Sequence, residues 1–231
     1  PIMVNSKIVK KEIPLLLLIV LLTGYLLLDN SLTLFEGVIL LAAFFALILW
    51  SVYTALKSRG DSLESEMDIE LKEHSMSLKL GVIWLVFGLI LLIVSSRILV
   101  WGAVGVAVEF GVSDLIIGLT IVALGTSLPE LAASVIAARK GEHDIAIGNV
   151  VGSNMFNLLA VIGIAVVIAP MNNIPLEVLK RDWTIMLLLT IALFAMAYGF
   201  RGRDGRINRV EGTILILCYA AYNTYLGMSL V

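Results

Sequence analysis

Residues 114–139 read DLIIGLTIVALGTSLPELAASVIAAR, an apolar segment with a proline and a glutamate near its centre. A helix of this length crosses a bilayer, because about 20 mainly apolar residues suffice. Glu130 lies 16 residues from Asp114 and 9 from Arg139, about 24 Å and about 13 Å along a helix. Its carboxyl group is therefore expected deep in the hydrocarbon, where ionisable residues are costly and mark functional sites.

Pro129 interrupts this helix beside the glutamate. It has no N–H to donate to the carbonyl of Gly125, and its ring clashes with that carbonyl. We expect the backbone around Gly125 to be loosened, leaving carbonyls free to act as ligands. Thr126 and Ser127 precede Glu130 by four and three residues and share its helix face, which predicts a cluster of oxygens.

Residues 145–169 read IAIGNVVGSNMFNLLAVIGIAVVIA and also carry polar residues centrally. Asn149, Ser153 and Asn157 are spaced four apart and form one stripe, with Asn154 beside it. Two such helices would bring carboxyl, amide, hydroxyl and backbone oxygens to mid-membrane, the ligands of a hard cation such as calcium. The alternative for any single Ser, Thr or Asn is that it only joins helices by hydrogen bonds.

Glycines indicate which helices meet. Gly148 and Gly152 form a GxxxG pair, which lets another helix approach closely. The preceding helix, with Gly118 and Gly125, is the expected neighbour.

The overall composition excludes several classes of protein. Of the 231 residues, 60% are hydrophobic and 15% charged, against roughly 45–50% and about 25% in soluble domains. A net charge of -2 provides no cationic excess for nucleic acid. A single cysteine, Cys218, forms neither a disulfide framework nor a multi-cysteine metal site.

Seven segments are long and apolar enough to predict an all-α integral membrane protein. Spans 1 to 7 cover approximately residues 13–28, 34–56, 79–106, 113–138, 145–169, 184–200 and 209–229. The acidic residues 57–78 predict a solvated linker, with a weak calcium-sensing strip as the alternative.

Basic residues predict the orientation. Thirteen of the sixteen Lys and Arg fall on one side of the seven-span topology, and that side is cytoplasmic by the positive-inside rule. The linker 57–78 is then cytoplasmic and the C-terminus outside. Lys180 and Arg181 lie on the outer side, and Arg97 lies within span 3, where it is expected to snorkel or pair.

An internal repeat pairs spans 1 and 2 with spans 6 and 7. Residues 8–12 (IVKKE) resemble residues 178–182 (VLKRD), 170 residues later, and the pair Glu36-Gly37 recurs as Glu211-Gly212, 175 residues later. Span 6 is an odd number of spans after span 1, so the repeat would be inverted, as in many secondary transporters. Chance recurrence of short caps is the alternative.

A five-helix repeat unit has two consequences. Residues 79–231 would form one complete unit and residues 1–56 the end of another, so three helices are expected upstream of Pro1. Glu36, Glu211 and Asp114 stand at span ends and are expected to cap helices.

The sequences GLTIVALGTSLPE (118–130) and GNVVGSNMFN (148–157) closely resemble the second alpha-repeat of the calcium/cation antiporter superfamily. The resembling branch is the bacterial sodium/calcium exchangers, including those described as potassium-dependent-like. The resemblance covers the whole chain, since residues 1–56 look like the last two helices of the family's first half. It implies a ten-helix fold of two inverted five-helix halves, in the cell (inner) membrane, and a transporter rather than an enzyme.

The resemblance also implies ion ligands, with no cofactor besides the transported calcium and sodium. It places the acidic ligand on Glu130, hydroxyl or carbonyl ligands on Thr126, Ser127 and Ser153, a backbone carbonyl on Ala123 and an amide on Asn157. Asn149 and Asn154 belong to the motif, and their roles stay open. Some members have Asp where this chain has Asn157, which argues against potassium coupling. The chain has no second GTSxPE-like segment, so we expect that it does not transport alone.

The predicted activity is sodium/calcium exchange, with Glu130 binding either ion at the midplane while span 3 slides to switch access. A proton-coupled cation exchanger is the alternative, with Glu130 protonated. A membrane hydrolase would need histidines in the bilayer, whereas His74 and His143 lie in predicted loops without an HExxH motif. A passive cation channel is a further alternative, although no re-entrant filter is evident.

Overall fold

The helices of the protein follow the predicted spans. The computed structural model describes residues 1–4, 7–57, 77–111, 117–198 and 205–228. Three uninterrupted helices come first: α1 (Lys7–Leu26), α2 (Leu34–Lys57) and α3 (Leu78–Glu109).

The later spans form rods, that is, continuous helical segments, and three of these rods contain a π-helical turn. The fourth rod is a π-helical turn (Gly118–Val122) leading into α4 (Ala123–Lys140). The fifth rod is α5 (His143–Phe156), a π-helical turn (Asn157–Val161) and α6 (Ile162–Ile168). The sixth is a π-helical turn (Val178–Trp183) leading into α7 (Thr184–Ala197), and the seventh is α8 (Arg209–Met228).

Among the described residues, four helical segments are long and apolar enough to cross a membrane. They are Leu34–Thr54, Lys79–Glu109, Thr120–Lys140 and His143–Ile168. The prediction of an all-α membrane protein is confirmed at this level. The rods of spans 1, 6 and 7 also form where they were expected, but they do not meet the same measure of length and hydropathy.

Two predictions fall wholly or largely outside the described residues. The acidic linker predicted over residues 57–78 is described only at its ends, where α2 stops at Lys57 and Ser77 precedes α3. Ser77 caps α3, since its Oγ accepts the N–H of Leu80 at 3.4 Å. Asp114, the expected cap of span 4, also lies outside the described ranges.

The buried core lies where α1 and α2 pack against the rod of α5 and α6. Its fully buried members are mostly β-branched and leucine side chains, among them Ile13, Val20, Leu40, Val151, Leu159 and Val166. In contrast, the large apolar side chains of α3 are exposed along almost its whole length. The protein therefore has a packed side built on α1, α2 and α5–α6 and an open side at α3.

Glycines bring the backbones together within the packed side. A Cβ on Gly163 of α6 would lie 3.3 Å from the carbonyl oxygen of Gly37 in α2, so the two helices cross in direct contact. On α1, a Cβ on Gly24 would collide with the indole of Trp183, whose Nε1–H donates to the carbonyl of Val20 at 2.9 Å. These two crossings fix α1 and α2 against the later helices.

Two antiparallel ribbons join distant parts of the chain. Strand β1 (Ile2–Val4) pairs with β4 (Gly205–Ile207), and β2 (Ser31–Leu32) pairs with β3 (Met171–Asn172). β1 and β3 precede the first and sixth rods, whereas β2 and β4 precede the second and seventh. If span 1 corresponds to span 6 and span 2 to span 7, then β1 corresponds to β3 and β2 to β4. The ribbon β1–β4 is therefore the counterpart of the ribbon β2–β3.

Glu36 and Glu211 cap their helices in the same way. Thr33 donates its N–H and its Oγ1–H to Glu36 Oε2 at 2.7 and 2.9 Å, and Glu36 N–H points back to Thr33 Oγ1 at 3.4 Å. Asn208 N–H donates to Glu211 Oε2 at 2.7 Å, and its Oδ1 accepts Glu211 N–H at 3.0 Å. Both are capping boxes, so the expected capping role of the two glutamates is confirmed.

Candidate ion-binding site

Helices α4 and α5, which carry the candidate site, pack against each other. Asn149 of α5 donates from Nδ2 to the carbonyl oxygen of Glu130 and to Ser134 Oγ, both at 2.9 Å. These bonds fix the position of α5 relative to α4 at the level of the glutamate. The prediction that the two motif helices are neighbours is confirmed. Asn149 braces them by hydrogen-bonding across their contact.

The carboxylate of Glu130 has an unsatisfied oxygen. Among the described residues, Glu130 Oε2 is shielded from solvent and has no hydrogen-bond partner. Burying a polar oxygen without a donor or a cation is costly, and such atoms are uncommon in folded proteins. This oxygen is therefore available to a positively charged ligand.

Two of the predicted hydroxyl ligands, Thr126 and Ser153, donate hydrogen bonds to backbone carbonyls of their own helices. Thr126 Oγ1 donates to the carbonyl of Val122 at 2.9 Å and lies 3.2 Å from that of Ala123. Ser153 Oγ donates to the carbonyl of Val150 at 3.1 Å. A hydroxyl has one proton and two lone pairs, so each of these oxygens keeps lone pairs for a cation.

The same pattern holds for an amide. Asn154 Nδ2 donates to the carbonyl of Val150 at 2.8 Å, which turns the acceptor oxygen of the amide away from its own backbone. Asn154 and Ala123 border one cavity of about 520 Å³, which α7 and α8 also line. The structure thus brings these two predicted residues, one from each motif, to the same cavity.

The predicted ligands differ in exposure. Ala123, Thr126, Ser127, Asn154 and Asn157 are exposed, whereas Glu130, Asn149 and Ser153 are half-buried. Asn157 is the first residue of the π-helical turn Asn157–Val161. Five of the eight predicted residues are thus exposed, and the glutamate is more buried than they are.

The prediction of a free carbonyl at Gly125 is wrong. Ser96 of α3 donates its Oγ–H to the Gly125 carbonyl oxygen at 2.7 Å. Pro129 does remove the donor within the helix, as expected, but a side chain from another helix replaces it. The sequence signal for this residue was the polar triplet Ser95-Ser96-Arg97 within an apolar helix.

The expectation that Gly118, Gly125 and Gly152 bring the two motif helices together is wrong. A Cβ on Gly125 would collide with the side chain of Val100, so Gly125 makes room for α3 and not for α5. A Cβ on Gly118 or Gly152 would meet nothing within 4 Å. The hydrogen bonds of the Asn149 amide are an observed link between the two motif helices.

Interruptions of α-helical geometry accompany both motifs. The π-helical turns Gly118–Val122 and Asn157–Val161 lie in the rods of spans 4 and 5. Such turns shift the hydrogen-bond pattern of a helix and occur often at functional sites. Within an apolar segment, the spacing of hydrophobic residues does not distinguish a π-helical turn from α-helix. The sequence therefore did not predict these two turns.

Part of the cavity lining was not predicted. Tyr222 of α8 donates its hydroxyl to Asp182 Oδ1 at 2.8 Å, and Arg181 Nε donates to the same oxygen at 2.6 Å. Asp182 and Tyr222 border the cavity that Ala123 and Asn154 share. The sequence placed Asp182 only in the repeat and gave no partner for it.

Glu130 is the one charged residue among the predicted ligands. Within the described ranges, no three side chains of His, Cys, Asp or Glu come together in a group suited to a metal ion. A cation bound here would meet the carboxylate of Glu130 and otherwise neutral oxygens. Such a donor set suits hard cations, which accept carboxylate, carbonyl and hydroxyl oxygens.

Removing the Asn149 brace should loosen the helix pair. We expect Asn149→Ala to lower the free energy of unfolding by about 1 kcal/mol, the scale of hydrogen bonds between membrane helices. Thermal unfolding in detergent measures the change. Asn223→Ala is the control, because Asn223 Nδ2 donates to Tyr219 of its own helix. Equal effects of the two variants would contradict a specific role for Asn149.

Taken together, the apolar helices and the polar motifs on two packed helices are typical of a membrane transporter. Residues 80–228 match the family described as sodium/calcium exchanger protein, which is more than half of the chain. The chain belongs to the sodium/calcium exchanger family. The resemblance deduced from the two motifs is confirmed, and with it the expectation of a transporter rather than an enzyme.

Individual relatives agree with this assignment. The chain is 47% identical to CaxA of Alkalimonas amylolytica, over 99% of this chain and 71% of CaxA. It is 36% identical to the inner membrane protein YrbG of Escherichia coli, over 89% of this chain and 64% of YrbG. The solved structure of the sodium-calcium exchanger NCX_Mj superposes with a TM-score of 0.71 at 25% identity, over 96% of this chain and 66% of that one. The chain thus spans about two thirds of the length of these relatives.

Proposed function

We propose that this chain provides a calcium and sodium site of a secondary antiporter, with Glu130 as the acidic ligand. The observation that carries the proposal is the buried Oε2 of Glu130, which has no partner among the described residues. A bound cation would satisfy this oxygen. Calcium and sodium would compete for it, which is the basis of exchange.

The proposed ligands follow from the direction of the hydrogen bonds. Thr126 and Ser153 donate to their own helices, and these bonds leave the lone pairs of both oxygens unused. Calcium takes 6–8 oxygens at about 2.3–2.6 Å, and neutral oxygens are acceptable among them. We therefore assign the remaining ligands to the motif residues Thr126, Ser127, Ser153, Asn157 and the carbonyl of Ala123. Asn149 serves as a brace, and Asn154 lines the cavity.

We further propose that the fold contains an inverted repeat. The capping boxes at Thr33–Glu36 and Asn208–Glu211 are related by the same 175-residue offset as the Glu-Gly pairs. The two ribbons exchange under the same pairing of spans. The helix caps and the strands thus agree with the same pairing of spans 1 and 2 with spans 6 and 7. This agreement supports two halves of opposite orientation, with the ion site at their interface.

The ribbons also support the proposed seven-span topology. Strands that share hydrogen bonds lie on the same side of a membrane, because an exposed ribbon edge is not stable in hydrocarbon. β2 and β3 are separated by spans 2 to 5, an even number, and β1 and β4 by spans 1 to 6, also even. Spans 1 and 6 must therefore either both cross or both not cross. We propose that both cross, with residues 57–78 cytoplasmic and the C-terminus outside.

A proton is the second candidate for the coupling ion. A proton on Oε2 of Glu130 would satisfy this oxygen as a metal ion would, and Glu130 is the one carboxylate among the predicted ligands. A proton-coupled cation exchanger would therefore use the same residue. The two activities differ in which gradient drives calcium movement.

Flux measurements separate the two candidates. The protein is expressed from its complete reading frame, reconstituted into liposomes, and calcium uptake is followed with radioactive calcium. We expect uptake to follow an outward sodium gradient and to be unaffected by a pH gradient at equal sodium. Uptake that follows the pH gradient without sodium would replace sodium by protons. Uptake that is independent of both gradients would indicate a channel.

A further inference from the structure

We infer that Ser96 is a positioning residue of the ion site, an inference that rests on the proposed function. Ser96 lies on α3, donates to the Gly125 carbonyl at 2.7 Å and is half-buried. It is 29 residues from Gly125 and belongs to neither motif. Its hydroxyl supplies the hydrogen bond that Pro129 withholds, and so holds the interrupted part of α4 in place.

The carbonyl that Ser96 holds belongs to the peptide plane that leads into the ligand residues. The peptide group is planar, so fixing the oxygen of Gly125 also fixes the N–H of Thr126. Thr126 in turn sets its hydroxyl against the carbonyls of Val122 and Ala123. Without the hydrogen bond from Ser96, this peptide plane would be free to tilt. The ligand oxygens that follow it would then be held less precisely in position.

Close packing makes the contact specific to α3. Leu99 and Val100 of α3 lie against Gly125, where any Cβ would collide with Val100. The neighbouring hydroxyl does not take part, because Ser95 Oγ donates at 3.0 Å to the carbonyl of Leu92 in its own helix. The chain therefore offers two adjacent serines, one that reaches the interrupted helix and one that does not.

The experiment uses this pair and a double-mutant cycle. Ser96→Ala removes the donor, Ser96→Thr keeps a hydroxyl, and Ser95→Ala is the matched control. Pro129→Ala restores an N–H that can donate to Gly125 within the helix, so it should make Ser96 dispensable. All variants are made in the reconstituted protein, and the half-saturating calcium concentration is measured separately from the maximal rate.

We expect Ser96→Ala to raise the half-saturating calcium concentration roughly three- to tenfold, the scale of one lost hydrogen bond. The maximal rate should change less, Ser96→Thr should restore affinity, and Ser95→Ala should match the wild type. In the Pro129→Ala background, Ser96→Ala should have less than about a twofold effect. An equal effect in both backgrounds, or equal behaviour of Ser95→Ala and Ser96→Ala, would overturn the inference.

A second readout does not depend on calcium. Amide hydrogen exchange in the segment 120–134 reports local opening of α4 and should rise in Ser96→Ala but not in Ser95→Ala. If exchange rises there while neither the wild type nor Glu130→Gln responds to calcium, the proposed function fails and the bracing by Ser96 stands. If exchange in the segment does not change, the bracing itself is refuted.

Discussion

Glu130→Gln should abolish sodium-driven calcium uptake at micromolar calcium while leaving the protein folded. The substitution keeps the size of the side chain and removes the one carboxylate among the predicted ligands. Contacts to a charged group contribute about 1.5–3 kcal/mol, so calcium affinity should fall roughly 10- to 150-fold. Uptake of radioactive calcium into liposomes, measured across calcium concentrations, checks the result. Glu130→Asp should retain part of the activity, because it keeps the charge and moves it by one methylene.

The control for this prediction is a glutamate outside the site. Glu177→Gln neutralises an exposed residue just before the sixth rod and should leave uptake unchanged. Folding of each variant is checked by its elution in size-exclusion chromatography. If Glu130→Gln transports as well as Glu177→Gln, the carboxylate is not an ion ligand and the unsatisfied Oε2 has another explanation.

Gly37→Ala should lower the free energy of unfolding more than a Gly→Ala substitution at any glycine of α3 whose surroundings the structure describes. The new Cβ would lie 3.0 Å from the backbone nitrogen of Val167 and 3.0 Å from the side chain of Val166. Backbone atoms of a packed helix cannot move aside without separating α2 from α6. Overpacking of this kind costs about 1–3 kcal/mol, and thermal unfolding in detergent measures it.

A glycine of α3 provides the matched comparison. A Cβ on Gly102 would meet nothing within 4 Å of the described structure, so Gly102→Ala should be neutral or stabilising by up to about 1 kcal/mol. Identical unfolding midpoints for Gly37→Ala and Gly102→Ala would contradict the helix crossing described at Gly37 and Gly163.

The helices could be predicted from the sequence because each span is a long apolar run with polar residues at its ends. Span 2 was placed at residues 34–56 and α2 is Leu34–Lys57, while span 7 was placed at 209–229 and α8 is Arg209–Met228. The two ribbons could not be predicted. Their strands have two or three residues, and their partners lie more than 130 residues away, so neither alternation nor a turn signal marks them.

The residues of the candidate site remain a prediction from the sequence, and the contacts that the structure gives them were only partly predictable. Glu130 stood out because a carboxyl in an apolar span requires a reason. The consequence of Pro129 was only half derivable, since the lost donor follows from proline chemistry while its replacement by Ser96 depends on how α3 packs on α4. Tertiary packing determines which helices contact each other. The residue pattern along one helix does not show which other helix packs against it.

Calcium binding at equilibrium tests the central claim most directly, because it needs neither a gradient nor a complete transport cycle. The purified protein, expressed from its complete reading frame, is dialysed against radioactive calcium with and without sodium, alongside Glu130→Gln and Glu177→Gln. The account predicts saturable calcium binding that sodium displaces, that Glu177→Gln retains and that Glu130→Gln loses. Equal, sodium-insensitive calcium binding by the wild type and Glu130→Gln would contradict it.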